Sequence, residues 1–202
     1  MPISYEMFMK HAEKVCKNKA SVARPILSGV KHQENGDLFC TDSHRLYVAK
    51  GIHTRTVGAV LTPKGAKVDG NYPDVSRLIP DPLNAKQTIN LEVKELLQVA
   101  DMISSIGGIA EAEASTNKSP SMDFIGDAIG YTNFAVKINY SFYPLRFEEA
   151  LSANAVYVLD AMKLLKAAGC QTVTLNFFGR MRPFTLVNED ESLLALILPI
   201  RK

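Results

Sequence analysis

The stretch Asn71-Tyr72-Pro73-Asp74-Val75-Ser76-Arg77-Leu78-Ile79-Pro80 lies between two unlike parts of the chain and decides how they are joined. Pro73 and Pro80 fix their own φ angles and discourage helix in the residue before each of them. Three apolar residues between the prolines need burial: Val75, Leu78 and Ile79. The pattern therefore predicts a stiff, extended and partly buried connector. A groove between the parts that it joins is a natural binding site.

Length and composition set the class of protein. A chain of 202 residues can form one large or two small domains, and an apolar share of 47% is ordinary for a globular protein. No apolar run is long enough to span a bilayer, and the N-terminal residues do not form a secretion signal. These observations predict a cytoplasmic protein that does not contact membranes.

The cysteines do not suggest a disulfide framework or a metal site. Cys16, Cys40 and Cys170 are odd in number, far apart and without C-x-x-C spacing. That pattern argues against a disulfide framework or a zinc site and predicts reduced, mostly buried thiols.

Charge is unevenly distributed along the chain. Residues 1–70 carry 11 Lys or Arg against 6 Asp or Glu, whereas residues 71–202 carry 12 against 15. A basic part can contact a phosphate backbone, although a solvated surface explains the same charges.

A first helix is predicted over residues 5–19, with Ser4 as its N-cap. Lys10, Lys14 and Lys17 recur on one face at i, i+4 and i+7. The lysine row is a candidate DNA-binding face, and the alternative is the solvated side of an amphipathic helix.

A helix followed by several strands recurs three times, over residues 5–61, 91–140 and 153–198. Further helices are predicted from Asn90 to a stop at Gly107-Gly108, and over residues 153–168 with Ser152 as a cap. Strands are predicted over residues 26–32, 57–61 and 133–140, among others, and a loop over residues 112–120. The order predicts an α+β protein whose helices cover antiparallel sheets.

The sequence does not favour catalysis. Asp42-Ser43-His44 has the residue types of a hydrolase triad, but neighbours on a predicted strand point to opposite faces. The four histidines have no metal-binding spacing, and no glycine-rich phosphate loop is present. We therefore expect no catalytic residues, no metal and no cofactor.

Four segments, taken together, match the signatures of one known family. Residues 40–46, Cys-Thr-Asp-Ser-His-Arg-Leu, resemble A-T-D-G-H-R-L, and residues 72–80 resemble F/Y-P-D-Y-x-R-V/L-I/L-P. Residues 154–160, Asn-Ala-Val-Tyr-Val-Leu-Asp, are similar to N-x-x-Y-L-x-D, and residues 198–201, Leu-Pro-Ile-Arg, to a terminal M-P-M/V-R. The family is the bacterial sliding clamp, the beta subunit of DNA polymerase III, which this chain resembles over about residues 5–201.

The resemblance implies the DNA-clamp fold, built here from three helix-plus-antiparallel-strands units. Residues 71–202 resemble a complete third clamp domain, and residues 1–70 resemble only the first half of the second domain. The chain therefore corresponds to about one and a half clamp domains, which puts closure of a ring around DNA in question.

The resemblance also implies a site between the second and third domains, where clamp partners dock a short peptide with Leu and Phe anchors. The matching positions are Arg24, Thr41, His44, Arg45, Leu46, Pro73, Arg77, Leu78, Tyr157, Leu196, Leu198, Pro199, Ile200 and Arg201. The four leucines are expected to form an apolar floor, the prolines rigid walls, and the Arg and Thr side chains a polar rim. The alternative is that the leucines are inter-domain core. Ser43, where the family has Gly, is expected to reshape the edge because it restricts φ.

We therefore expect a non-enzymatic, sliding-clamp-like protein that binds peptides of polymerase, clamp-loader or repair proteins and acts as a processivity factor. Double-stranded DNA is a second candidate partner, and a homo-oligomer, a dimer or a tetramer, is expected. Two alternatives remain: a regulator or decoy that does not encircle DNA, and a DNA-binding protein that uses the lysine row.

Overall fold

The computed structural model describes residues 3–18, 20–55, 58–114, 118–141 and 146–201. The helices are α1 (Tyr5–Cys16), α2 (Ala20–Ala23), α3 (Val93–Glu113) and α4 (Ala155–Ala167). The strands are β1 (Val30–His32), β2 (Leu38–Thr41), β3 (Arg45–Ala49), β4 (Ala59–Leu61), β5 (Gln87–Glu92), β6 (Ser121–Gly126), β7 (Ala128–Thr132), β8 (Lys137–Ser141), β9 (Phe147–Asn154), β10 (Thr172–Phe177), β11 (Phe184–Val187) and β12 (Leu193–Ile197). Among the helices of these ranges, none is both long enough and apolar enough to cross a membrane.

Two antiparallel sheets carry the fold. The larger has the strand order β4-β1-β2-β3-β12-β11-β10-β5, and the smaller has the order β8-β7-β6-β9. β3 pairs with β12 in a register that places Leu46 opposite Leu196, so the strands on either side of the connector share one continuous sheet. The predicted α+β class, with helices that cover antiparallel sheets, is confirmed. The count of three units and the domain boundaries at residues 1–70 and 71–202 stay predictions.

The central strands of the large sheet, β2, β3 and β11, are buried on both faces. Cys40, Tyr47 and Ala195 belong to the main core, in which α1, α3 and α4 pack against the sheets. Their strand neighbours point to the opposite face because successive side chains alternate. There they form a second cluster with the connector, which comprises Leu27, Phe39, Leu46, Val48, Tyr72, Val75 and Leu196.

Helix α1 begins as its sequence predicts. The Ser4 side chain accepts a hydrogen bond from the Met7 backbone N–H, which satisfies one of the free donors of the first turn. Phe8, Ala12 and Val15 are buried on its inner face. The helix ends at Cys16, earlier than predicted, and Lys19 lies outside the described residues.

The prediction of a strand over residues 26–32 was wrong in its first half. Pro25–Ser28 form a 3-10 helix, and only Val30–His32 form the strand β1. Pro25 favours this arrangement because it lacks an N–H and its φ suits the first helical position. β4 begins at Ala59, and Val57 of the predicted 57–61 strand lies outside the described residues.

The predicted limits of the second helix were wrong at both ends. Asn90 lies inside β5, where it pairs with Thr174, and α3 begins at Val93. Gly107 and Gly108 lie within α3 rather than at its end. A Cβ on Gly107 would lie 2.7 Å from the Cβ of Pro120, so this glycine permits close packing instead of stopping a helix. Residues 115–117 of the predicted 112–120 loop lie outside the described ranges.

The C-terminal half needed smaller corrections. Asn154, not Ser152, caps α4 by accepting from the Val156 N–H. The strand predicted over residues 133–140 covers only Lys137–Ser141, and β7 was not predicted. The apolar runs at residues 172–177 and 184–187 are predicted as strands, and β10 and β11 have these limits.

Candidate functional site

The connector lies on the outer face of the large sheet. Tyr72 and Val75 are buried against the second cluster, and Ile79 is half-buried. Ser76–Leu78 form a 3-10 turn. The expectation that Leu78 is buried was wrong, because 57% of it is exposed. The connector is therefore fixed by two residues and presents a leucine to solvent.

The segment 42–44 is a turn between β2 and β3, so its predicted strand geometry was wrong. The Asp42 carboxylate accepts hydrogen bonds from the backbone N–H groups of His44 and Arg45, both at 3.0 Å. This carboxylate organises the turn and does not contact the His44 ring, whose Nδ1 lies 3.4 Å from the Asp42 carbonyl oxygen. Ser43 has a φ of 74°, in the left-handed region where the family's glycine is unstrained.

Arg45 occupies the centre of a buried ionic cluster. Its Nε donates to Asp42 at 3.0 Å, and its Nη1 donates to Asp160 at 2.8 Å. Its guanidinium carbon lies 4.5 Å from the centre of the Tyr157 ring. Only 4% of Arg45 is exposed, so the expectation that it forms a polar rim was wrong. Burial also raises the pKa of Tyr47, which neighbours this cluster.

Asp160 is a site residue that the sequence reasoning missed. Its second oxygen accepts from the Lys14 ammonium at 2.7 Å, so one carboxylate ties α1 and β3 to α4. Asp160 lies one helical turn after Tyr157 in the segment 154–160, and this spacing was the available signal.

The end of β12 reaches the same turn. The Leu198 N–H donates to the His44 carbonyl at 2.9 Å, and the rings of His44 and Tyr157 lie 6.2 Å apart. His44, Arg45, Tyr157 and Leu198 are therefore brought together, as the resemblance implies. Pro199 follows half-buried.

The four predicted floor leucines divide into two pairs. Leu46 and Leu196 face each other across the β3–β12 pairing and are 1% and 3% exposed. Leu78 and Leu198 are 57% and 38% exposed. The buried pair agrees with the inter-domain core alternative, whereas the exposed pair is accessible to a ligand.

Four other predicted residues line two separate cavities, and none of these four leucines lines either cavity. Arg24 and Pro73 line one cavity of about 490 Å³ with Ile26 and Gly70. Ile200 and Arg201 line another, of about 210 Å³.

Two polar residues have local partners. Arg77 is exposed and pairs with Asp74 at 2.8 Å. Thr41 is buried, and its hydroxyl donates to the Arg45 carbonyl at 2.7 Å, so its expected place on a polar rim was wrong too.

The lysine row on α1 is exposed but largely paired. Lys14 contacts Asp160, and Lys17 contacts Glu13, each at 2.7 Å. Within the described part of the chain, Lys10 has no ion-pair partner. Burial, and then the nearby charges of Lys14 and Lys10, lower the pKa of His11.

Known proteins resemble this chain in sequence and in fold. No family model matches it. The beta sliding clamp of Bacillus subtilis is 29% identical over 237 residues, covering 90% of this chain and 58% of that protein. The beta sliding clamp of Streptococcus pneumoniae is 30% identical over 140 residues, covering 66% of this chain and 35% of that protein.

Solved structures of sliding clamps share the fold of this chain, which confirms the predicted DNA-clamp fold. The DNA polymerase sliding clamp of Bacillus subtilis superposes with a TM-score of 0.73 at 25% identity, covering 100% of this chain and 64% of that one. The beta subunit from DNA polymerase of Streptococcus pyogenes has a TM-score of 0.75 at 21% identity, covering 98% and 63%. The chain thus spans less than two thirds of the length of these relatives.

Proposed function

The chain is a relative of the bacterial β sliding clamps, and from this relationship we propose that it is a non-enzymatic, clamp-like protein that binds short peptides of replication or repair proteins. The peptide surface is the outer face of the large sheet, where the connector crosses the β3–β12 joint. In this role the protein tethers a polymerase or repair partner and acts as a processivity factor in the cytoplasm.

One observation carries the proposal: two exposed leucines adjoin, along the chain, residues of the buried second cluster. Leu198 lies just beyond the end of β12, two residues after Leu196, and its N–H donates to the His44 carbonyl. Leu78 lies three residues after Val75, which belongs to the second cluster. A small apolar anchor of a peptide gains most of its affinity from contacts of this kind.

The cavity beside Arg24 and Pro73 supplies a second element of the surface. Its walls combine Pro25 and Ile26 with the exposed Arg24 and with the polar Asp69 and Asn71. The apolar part of such a recess suits an aromatic anchor, and Arg24 can pair with a peptide carboxylate.

The test is calorimetry with a synthetic peptide that carries adjacent Leu and Phe residues. We expect micromolar affinity, about −8 kcal/mol. Leu198→Asp should weaken binding at least tenfold, because an unpaired carboxylate would meet the apolar anchor. Leu83→Asp is the matched control, since Leu83 is 92% exposed. Wild-type protein that releases no heat at high peptide concentration would refute the assignment.

DNA contact is a second proposed property, supported by the exposed lysine row of α1, in which Lys10 has no ion-pair partner among the described residues. It predicts salt-dependent binding to duplex DNA that weakens in Lys10→Glu. Binding of the peptide without any DNA affinity would favour the alternative role of a regulator or decoy.

A further inference from the structure

The outer face of the large sheet carries a further cavity of about 250 Å³, which we call the outer recess. Val48 of β3 lies directly opposite Leu194 of β12, and Leu194 lies directly opposite Val187 of β11. Residues directly opposite each other in a sheet point to the same face. These three side chains therefore form one continuous apolar floor across three strands.

The walls of the outer recess are held in place by the fold. Ile79 and Pro82 line it where the connector ends, and Ile79 is half-buried against the second cluster. Asn188, in the turn between β11 and β12, also lines it and is buried. The Asn188 side chain donates to the Ser192 hydroxyl at 3.1 Å and accepts from the Leu193 N–H at 2.8 Å. The recess is thus preformed.

The uncharged polar side chains of the outer recess already have partners. The Asn176 side chain accepts from the Thr88 hydroxyl at 3.1 Å and donates to the Thr185 hydroxyl at 3.3 Å. The Thr174 hydroxyl donates to the Asn90 side chain at 3.0 Å. Recognition of a polar end of a ligand therefore falls to the charged side chains of the recess.

Three charged residues line the outer recess. Glu189 and Glu191 come from the β11–β12 turn, and Lys50 follows β3, where its N–H donates to the Ser192 carbonyl at 2.8 Å. All three are exposed, and within the described ranges none of them forms an ion pair. Two free carboxylates and one ammonium give the recess a net negative charge. A long basic side chain matches this combination, because it can bury its methylene stem on an apolar floor and pair its charged end with carboxylates.

The outer recess adjoins the surface proposed for peptide binding. The Val48–Leu194 pair lies two residues further along β3 and β12 than the buried leucine pair of that surface, which corresponds to about 7 Å. Ile79, which lines the recess, directly follows the exposed Leu78. A peptide anchored at Leu78 can therefore reach the recess within about three residues, since an extended chain spans roughly 3.3 Å per residue.

We propose that the outer recess binds a lysine or arginine side chain that flanks the Leu and Phe anchors of a partner peptide. The stem of this side chain packs on Val48 and Leu194, and its charged end pairs with Glu189 and Glu191. The inference rests on the proposed peptide binding and adds a determinant of specificity to it. Among peptides with the same anchors, the protein selects those with a basic residue about three positions away.

The first test compares three synthetic peptides by calorimetry. They share the Leu-Phe anchors and carry alanine, lysine or glutamate three positions before and three positions after these anchors. The lysine peptide should bind about fivefold more tightly than the alanine peptide at low salt, and this difference should shrink as salt screens the exposed carboxylates. The glutamate peptide should bind more weakly than the other two. The formal net charge of the chain is +2, so its overall charge does not favour a basic peptide.

The outcomes separate this inference from the proposed function. An alanine peptide that binds, with no gain from lysine or with a gain from glutamate, would overturn the assignment of the outer recess and leave the proposed function intact. Failure of all three peptides to bind would refute the proposed function, and the assignment of the recess with it.

The second test changes the charges of the outer recess. The double variant Glu189→Gln, Glu191→Gln should remove the advantage of the lysine peptide over the alanine peptide, whereas Lys50→Gln should increase this advantage. Opposite effects of the two signs of charge distinguish charge recognition from a loss of packing. Asp127→Asn, exposed and outside the recess, is the control for net charge. A lysine advantage that persists in the double variant, or that Asp127→Asn removes equally, would overturn the proposal.

Discussion

Arg45→Ala should destabilise the fold far more than any exposed charge substitution. The variant leaves the carboxylates of Asp42 and Asp160 without their shared guanidinium, and their side chains are 0% and 8% exposed. Removing one partner of a buried ion pair typically costs about 3–5 kcal/mol, because the remaining charge is uncompensated. The Lys14 ammonium still contacts Asp160, which favours the lower part of that range.

The assay is urea denaturation followed by circular dichroism. With a urea dependence of about 2 kcal/mol per molar, the midpoint should fall by roughly 2 M. Arg45→Lys should lie between wild type and Arg45→Ala, since one ammonium cannot reproduce the two-sided contact of the guanidinium.

A matched control exists within the same chain. Arg77 and Asp74 form an Arg–Asp pair with the same spacing as Arg45 and Asp42, but the Arg77 side chain is 86% exposed. Arg77→Ala should leave the midpoint within error, because water screens the pair. Equal urea midpoints for the Arg45 and Arg77 variants would refute the view that the buried ionic cluster holds α1 and β3 to α4.

Three further predictions test local features, two by denaturation of variants and one by thiol titration of the native protein. Gly107→Ala should destabilise the protein by about 1–3 kcal/mol, since the new Cβ meets Pro120 at 2.7 Å. Gly108→Ala, whose Cβ has open space, should stabilise the protein by about 1 kcal/mol. The reverse order of the two stabilities would contradict the close packing at Gly107. Ser43→Gly should add about 1 kcal/mol by relieving the φ of 74°, and no gain would contradict the strain. In native protein, Cys170 should react with a disulfide reagent before the other two thiols, because it is only half-buried whereas Cys16 and Cys40 are buried. Burial raises the pKa of Cys16 to about 12 and the pKa of Cys40 well above its ordinary value. A second thiol that reacts as fast as Cys170 would contradict this order.

Local signals in the sequence predicted much of the fold. Ser4 before an amphipathic run predicted the start of α1, and short apolar runs predicted β10 and β11, because capping and strand periodicity depend on neighbours in sequence. Gly107 misled the prediction because its role depends on Pro120, a residue from a later segment. A glycine that stops a helix and one that allows close packing look alike in sequence.

The sequence predicted which residues form the candidate site but not how exposed each of them is. The family resemblance placed His44, Arg45, Tyr157 and Leu198 together, and the structure does bring them together. The resemblance could not reveal that Arg45 is buried, because the burial of Arg45 depends on Asp160, 115 residues away in the chain. Long-range pairing of this kind leaves little trace in local pattern.

A peptide titration followed by the backbone amide signals of labelled protein tests most directly whether the connector side of the large sheet binds peptides. A Leu-Phe peptide should shift signals over residues 41–46, 71–79 and 194–201 and leave the β8 amides unchanged. Saturating shifts confined to these segments would place the peptide on the connector side of the large sheet. Shifts centred on α1 or on β8, or no shifts at all, would show that the peptide does not bind there.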